Sequence, residues 1–143
     1  MQDTLKASQL RNLIIVACHS MTLSGHLKDA DADERDWYLE DYQRGRGLPR
    51  AIYLHIKAGI EHAAMDADAL LVFSGGQTRK LAPYDEGSSY FQVADAMNMF
   101  DVTGFNENQR QHAGFNTVRS RTTTEIFATD SFQNLYEYSY FSL

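Results

Sequence analysis

The chain has little of what a secreted or membrane protein needs. Its only cysteine, Cys18, cannot form an internal disulfide, which favours a reducing, cytoplasmic compartment. No apolar run approaches the roughly 20 residues of a membrane-spanning helix. Residues 1–11 form a polar tail without the apolar core of a signal peptide. We therefore expect a cytoplasmic protein with no membrane partner.

Positive charge is also scarce, with 13 Lys and Arg residues against 19 Asp and Glu and a net charge of −6. Duplex nucleic-acid binders normally carry a basic face, so the composition argues against such a partner. The acidic segment 29–40 has Glu34 where a calcium loop requires glycine. The histidines show no metal-ligand spacing with carboxylates or with Cys18, so we predict no metal.

The pattern of apolar residues predicts one α/β domain over all 143 residues. Two short apolar runs, residues 13–18 and 70–74, are typical of buried strands. Helical spacing predicts helices over 50–65, with Pro49 in the first turn, and over 88–99. A third helix is predicted over 122–135, where Thr122 and Glu125 have the spacing of a capping box. Residues 20–36 are predicted to be a surface loop with at most a short helix.

The alternation of solidly apolar strands and helices implies a mostly parallel sheet with helices on both faces. Right-handed crossovers would place the strand ends at His19 and Ser74 on the same edge of this sheet. In open α/β sheets ligands bind at that edge, so both strand ends become candidate site residues.

The run LLVFSGGQTR, residues 70–79, is the strongest indication of a ligand site. Backbone N–H groups in a glycine turn can converge on an anion, and an arginine can pair with it. The alternative is a tight strand-to-helix turn, since the run lacks the lysine of a P-loop and the third glycine of a dinucleotide fingerprint. The candidate ligand-binding residues are Ser74, Gly75, Gly76, Gln77 and Arg79.

Four titratable residues are candidates for catalysis, each with a structural alternative. His19 could exchange protons or simply bond the loop backbone. Glu86 could bind a ribose hydroxyl or a metal, or it could supply a favourable charge to the first turn of a helix. Glu125 is explained better by the predicted capping box than by a substrate. Asp130 could face the same cleft, and Asp is an uncommon residue in the middle of a helix. Cys18 is interpreted as a small buried hydrophobe.

Taken together, several segments resemble the YdcF/SanA-like family, a domain of unknown function, and especially its fungal and other eukaryotic branch. The matching pieces are residues 13–19, the segment from Trp37 to Gly45, the helix with His55-Ile56 and Gly59, and LLVFSGGQTR. Glu86 with Ser89-Tyr90 resembles the family's S-E-A-x-S-Y element. Thr124-Glu125 through Leu135 resembles its T-E-E-x-A-x-D-S-x-x-N-L helix.

The resemblance implies a Rossmann-like, three-layer fold with a small-molecule site built from these elements. One bacterial branch is associated with S-adenosylmethionine binding and others with cell-envelope phenotypes, so S-adenosylmethionine or a nucleotide is the implied ligand. Gly87 stands where the family has alanine, and Ile126 where it has a second glutamate. The family continues with further strands after Leu135, which predicts that this chain is a truncated version.

The sequence thus predicts a protein that binds a small anionic or nucleotide-like ligand at the glycine turn. One alternative is a phosphoryl or acyl hydrolase that uses His19 and Glu86. The other is a non-catalytic remnant that serves in interactions. The sequence selects no oligomeric state.

Overall fold

A computed structural model describes residues 10–23, 25–101 and 117–129 as a small α/β unit. Its elements are β1 (Asn12–Ala17), α1 (Leu48–Met65), β2 (Ala69–Ser74), α2 (Glu86–Ala96) and β3 (Thr122–Glu125), with 3-10 helices at Glu34–Asp36, Asp41–Gln43 and Arg119–Arg121. The three strands form one parallel sheet in the order β1-β2-β3. The predicted α/β class and parallel sheet are confirmed.

The strand register brings the three carboxyl ends together. Ala17 pairs with Ser74, and Ser74 pairs in turn with Glu125. The prediction that the chain leaves β1 and β2 at the same edge is therefore confirmed, and β3 ends there as well.

Both helices pack on the same face of the sheet. Val16 and Phe73, which are partners in the register, belong to one core cluster with Ile56 of α1 and Tyr90 of α2. Gly59 allows α1 to lie close to β1, because a Cβ there would fall 2.5 Å from Cγ2 of Val16. Close packing of α1 on β1 therefore depends on the absence of a side chain at Gly59.

The strand order explains this one-sided arrangement. Two crossovers of the same hand that advance in the same direction place their helices on the same face. Of the three layers expected, the described residues form the sheet and one helical layer. Val72 and Ser74, which point to the opposite face, are nevertheless fully buried, so β2 is shielded on both sides. No helix in the described part of the chain is long and apolar enough to span a membrane.

The helix predicted from residue 122 is wrong in its described part. Thr122–Glu125 is a strand paired with β2, and residues 126–129 are not helical. Three consecutive threonines are stiff at χ1 and fit a pleated surface better than a helix. The capping-box spacing was coincidental, because β2 offers this segment an open edge to pair with.

The other helix predictions hold apart from their ends. Leu48–Met65 includes Pro49 in its first turn, as expected. The second helix begins two residues early, at Glu86, because the Asp85 side chain caps it by accepting the Ser88 N–H at 2.6 Å.

The segment 20–36 is more than a surface loop. Its Met21, Thr22, Leu27 and Ala30 are buried. The buried Trp37 indole fixes the segment by donating its N–H to the Ala30 carbonyl at 2.8 Å. The prediction failed because charged residues are frequent in this segment, while Met21 and Leu27, two of its three large apolar residues, are buried and only Leu23 is exposed.

Candidate functional site

The segments that leave the three strands are joined by backbone hydrogen bonds. The Cys18 N–H donates to the Ser74 carbonyl at 2.9 Å, and the Gly75 N–H donates to the Glu125 carbonyl at 2.8 Å. The first turn of α2 contacts the end of β2 here, since the Gly87 N–H donates to the Gly75 carbonyl at 2.9 Å. The carboxyl edge is therefore a compact junction of four chain segments.

The glycines of this junction are required for close packing. A Cβ on Gly75 would lie 2.5 Å from Oε2 of Glu86, and one on Gly76 would lie 2.6 Å from the Ile126 carbonyl oxygen. A Cβ on Gly87 would lie 2.7 Å from the Phe73 carbonyl oxygen. The absence of a side chain at Gly87 thus lets α2 begin directly on the end of β2.

The anion cradle expected from the glycine pair is not formed by these two N–H groups. Gly75 donates to Glu125, and the Gly76 N–H donates to the Ala128 carbonyl at 2.6 Å. Both donors are taken by the segment that ends β3 and follows it, which is the tight-turn alternative. The N–H groups of Gln77, Thr78 and Arg79 donate no hydrogen bond to any residue that the structure describes.

Glu86 is a buried acid with few partners. It is only 7% exposed, and its Oε1 accepts a hydrogen bond from the Thr78 hydroxyl at 3.2 Å. Burial raises the pKa of this carboxyl from 4.5 to about 7, against the opposing effects of the Thr78 bond and the Arg79 charge. A group that changes charge near neutral pH in a strand-end junction is a candidate for proton exchange or ligand recognition.

Glu125 is equally buried but differently held. Its Oε2 accepts the Ser74 hydroxyl at 2.8 Å, and its Oε1 accepts the backbone N–H groups of Phe127 at 2.5 Å and Ala128 at 3.1 Å. The bond from Ser74 fixes the end of β3 against β2, and the other two fix the residues that follow β3. Glu125 does not cap a helix, so the role suggested by its spacing is corrected to that of a strand-end brace.

Tyr90 connects the first strand end to α2. Its buried phenol oxygen accepts the His19 backbone N–H at 3.0 Å. Burial, with the nearby Cys18, raises the pKa of Tyr90 well above its usual value. Glu86 and Tyr90 are four residues apart and share one face of α2. We call His19, Thr78, Glu86 and Tyr90 the carboxyl-edge site.

The His19 side chain is exposed and stacks on that of His55, with ring centroids 6.1 Å apart. Burial, and then the charge of His19, lowers the pKa of His55. Cys18 is buried, and burial raises the pKa of its thiol well above the usual value. The interpretation of Cys18 as a small hydrophobe is therefore confirmed.

The predicted ligand-binding residue Arg79 forms an ion pair within the protein. Its Nη2 lies 3.1 Å from Oε1 of Glu40, in the segment that precedes α1. The loop that carries it is also braced internally by Gln77, whose Nε2 donates to the Ala82 carbonyl at 2.7 Å. The two predicted ligand-binding side chains after the glycine pair thus have protein partners.

Two further predicted site residues are Asp130 and Ser74. Asp130 lies outside the described residues, and the Ser74 hydroxyl is engaged by Glu125. Among the residues described, no group of three or more His, Cys, Asp or Glu side chains could hold a metal ion. An open surface pocket of about 370 Å³ lies elsewhere and is lined by Tyr42, Gln43, Arg46, Leu48 and Ala51.

Sequence reasoning missed the contributions of Thr78, Tyr90, His55 and Glu40. Thr78 lies in the run LLVFSGGQTR and Tyr90 lies four residues after Glu86. Only the folded structure shows that Thr78 contacts Glu86 and that Tyr90 contacts His19. His55 and Glu40 come from other elements, and no local spacing could have paired them with this edge.

Comparison of the chain with protein-family models, with curated proteins and with solved structures finds no match. The resemblance to the YdcF/SanA-like family therefore stays a prediction.

Proposed function

We propose that the protein binds a small polar molecule at the carboxyl-edge site and that Glu86 recognises it. The supporting observation is the state of this carboxyl, which is buried with one side-chain hydrogen bond from Thr78. No Lys or Arg nitrogen of the described residues lies within 4.0 Å of it. Buried charged groups are normally paired, so an unpaired carboxyl beside an exposed loop favours an external partner.

The charges around Glu86 favour a ligand that donates hydrogen bonds or carries positive charge. Asp85 lies next to Glu86, Glu125 ends the neighbouring strand, and Arg79 is paired with Glu40. With the N–H groups of the glycine pair already engaged, phosphate is a poorer match than the sequence suggested. A nucleoside with a cationic substituent, of the S-adenosylmethionine type, combines the implied ligand class with this charge.

The pKa of Glu86 near 7 supports recognition through either protonation state. As a carboxylate it would accept hydrogen bonds from an amine or hydroxyl, and as an acid it would donate one. The exposed N–H groups of Gln77 and Thr78 lie in the same loop and could hold a carbonyl or carboxyl oxygen of the ligand. Such a mixed set suits a small zwitterionic or polyhydroxylated molecule.

Thermal unfolding with S-adenosylmethionine, adenosine, ATP and glucose 6-phosphate tests the proposal. We expect S-adenosylmethionine or adenosine to stabilise the protein, by about 2.7 kcal/mol at a concentration 100 times the Kd. Glu86→Gln should weaken binding, whereas Glu61→Gln, on the exposed face of α1, should not. If no probe shifts the transition, or if Glu86→Gln binds as the wild type does, the proposal fails.

A hydrolytic function is the second candidate, because His19 and Glu86 stand at one edge of the sheet. The His19 backbone is anchored on Tyr90, one turn of α2 from Glu86, while its imidazole is exposed to a substrate. For this function His19→Asn should reduce kcat on a phosphate or acyl ester without weakening substrate affinity. Loss of affinity alone would favour the binding function.

We also infer a reducing compartment, the cytoplasm, as the place of action. The support is the buried, unpaired Cys18. Partial proteolysis of the protein under oxidising and reducing conditions should give the same pattern if this thiol takes no part in stability.

A further inference from the structure

Glu40 connects a distant part of the chain to the carboxyl-edge site. Its Oε1 lies 3.1 Å from Nη2 of Arg79, and the side chains are 35% and 48% exposed. Arg79 directly follows Thr78, whose hydroxyl contacts Glu86. The carboxylate of Glu40 therefore holds the cation nearest to Glu86 along this loop.

The backbone of Glu40 is fixed independently of this ion pair. Its N–H donates to the Gln43 side-chain oxygen at 2.8 Å, and its carbonyl accepts the Gln43 N–H at 2.8 Å. These reciprocal bonds set Glu40 at the start of the 3-10 helix Asp41–Gln43. The carboxylate is thus presented to Arg79 from a preorganised turn.

We propose that Glu40 is a specificity-determining residue that keeps the charge of Arg79 away from ligands, so that the site disfavours anions. An anionic group that approaches the loop must compete with Glu40 for the guanidinium. It also meets an excess of carboxylates, because Asp85 and Glu86 begin α2 beside the same loop. A neutral or cationic group meets neither obstacle.

The inference rests on the proposed function only for the position of the ligand site. An exposed ion pair of this kind contributes about 0.2–1 kcal/mol, which corresponds to a change of about one- to fivefold in an equilibrium constant. Glu40 therefore adjusts the preference of the site and does not close it completely. Removal of its charge should release Arg79 for an anion.

Titration with inorganic phosphate, followed by NMR chemical shifts of the Gln77–Arg79 amides, tests this role without knowledge of the natural ligand. Glu40→Gln should bind phosphate about two- to fivefold more tightly than the wild type. Asp41→Asn removes the same charge from the next residue, where no ion pair with Arg79 exists, and should leave phosphate affinity unchanged. The double variant Glu40→Gln/Arg79→Gln should lose the gain.

Equal phosphate affinity in Glu40→Gln and the wild type would overturn the inference, as would a gain that persists in the double variant. A similar gain in Asp41→Asn would also overturn it, because net charge alone would then explain the effect. Since Gln keeps both backbone bonds to Gln43, the variant should fold normally, which unfolding curves will verify. None of these outcomes depends on the binding of S-adenosylmethionine or adenosine, so the two proposals fail separately.

Discussion

The amino edge of the sheet buries the side chain of Arg121, the carboxyl edge buries those of Glu86 and Glu125, and Arg121 and Glu86 are held in opposite ways. At the amino edge the Arg121 guanidinium donates to the carbonyls of Ala63 at 3.0 Å, Asp66 at 2.9 Å and Ala69 at 2.7 Å. At the carboxyl edge the Glu86 carboxyl receives one side-chain hydrogen bond, from Thr78. The charge of Arg121 is therefore satisfied by three carbonyl oxygens. The charge of Glu86 depends instead on burial and pH.

This difference favours a functional role for Glu86 and a structural role for Arg121. Arg121 lies where α1 ends, so its cation complements the carbonyl-rich end of that helix. Glu86 lies at the start of α2, which should favour a carboxylate, but Asp85 already caps that helix. For Glu86 the cost of burying a carboxylate therefore outweighs the favourable effect of the helix N-terminus, and the pKa of Glu86 rises.

The largest effect is expected at the amino edge. Arg121→Met should lower the free energy of unfolding by about 2–4 kcal/mol, because buried carbonyls lose their donor. Arg121→Lys should recover part of this loss, since an ammonium can reach some of the carbonyls. Chemical denaturation of the three proteins measures both values. If Arg121→Met has the same free energy of unfolding as the wild type, the two edges do not differ as described.

Glu86→Gln should show the opposite sign and a dependence on pH. Because the folded-state pKa is raised, the stability that Glu86 contributes is complete below about pH 4.5 and is lost as the pH rises through about 7. The variant, which cannot ionise, should be more stable than the wild type at pH 8 by about 2–3 kcal/mol. Near pH 4.5 the difference should be small.

Denaturation at pH 4.5, 6 and 8 measures this effect, with Glu61→Gln as the control on the surface. A constant difference between Glu86→Gln and the wild type across this range would show that folding does not raise the pKa of Glu86, and the contrast with Arg121 would weaken.

Gly75→Ala sharpens the comparison by crowding the acid directly. The new methyl group would approach both Glu86 and Cβ of Cys18, which lies 3.0 Å from its position. We expect a loss of about 1–3 kcal/mol, as for overpacked cores. Gly25→Ala is the matched control, because no atom lies within 4 Å of its Cβ position. Equal melting temperatures for the two variants would contradict the packing described at the glycine turn.

The smallest effect is expected at Ser20, in the segment that follows β1. Its buried hydroxyl has no hydrogen-bond partner among the residues described. Ser20→Ala should stabilise the protein by up to about 1 kcal/mol, because a buried donor without a partner is costly. Ser89→Ala, which removes a hydroxyl bonded to Thr22 and Asp85, should destabilise it. A loss in both variants would show that Ser20 has an ordered water partner.

The elements that the sequence predicted best were those with continuous or strictly periodic apolar residues. β2 and the inner face of α1 follow from burial of their apolar side chains, whereas β1 was predicted from its apolar run although only Val16 in it is fully buried. β3 was missed because Thr122–Glu125 is polar and short, and its strand conformation comes from pairing with β2. Local preference was weak there, so the neighbouring strand decided.

The candidate site was predicted in position but not in chemistry. His19, Ser74 and Glu86 do meet at one edge, as parallel strands require. The glycine pair was expected to present its N–H groups to an anion, but β3 and the residues after it occupy them. That outcome could not be read from residues 70–79, because the competing carbonyls come from a segment about 50 residues away.

The sequence by itself determined the order β1, α1, β2 and α2 and the parallel direction of β1 and β2, but not the strand β3 or the contacts that require glycine at position 87. The first two depend on the local pattern of apolar residues. Only the tertiary structure decided that the buried Glu86 carboxyl accepts one side-chain hydrogen bond whereas the buried Glu125 carboxyl accepts three hydrogen bonds, and that Arg79 faces Glu40. Protonation and ion pairing depend on distances between separate segments, and folding alone sets those distances.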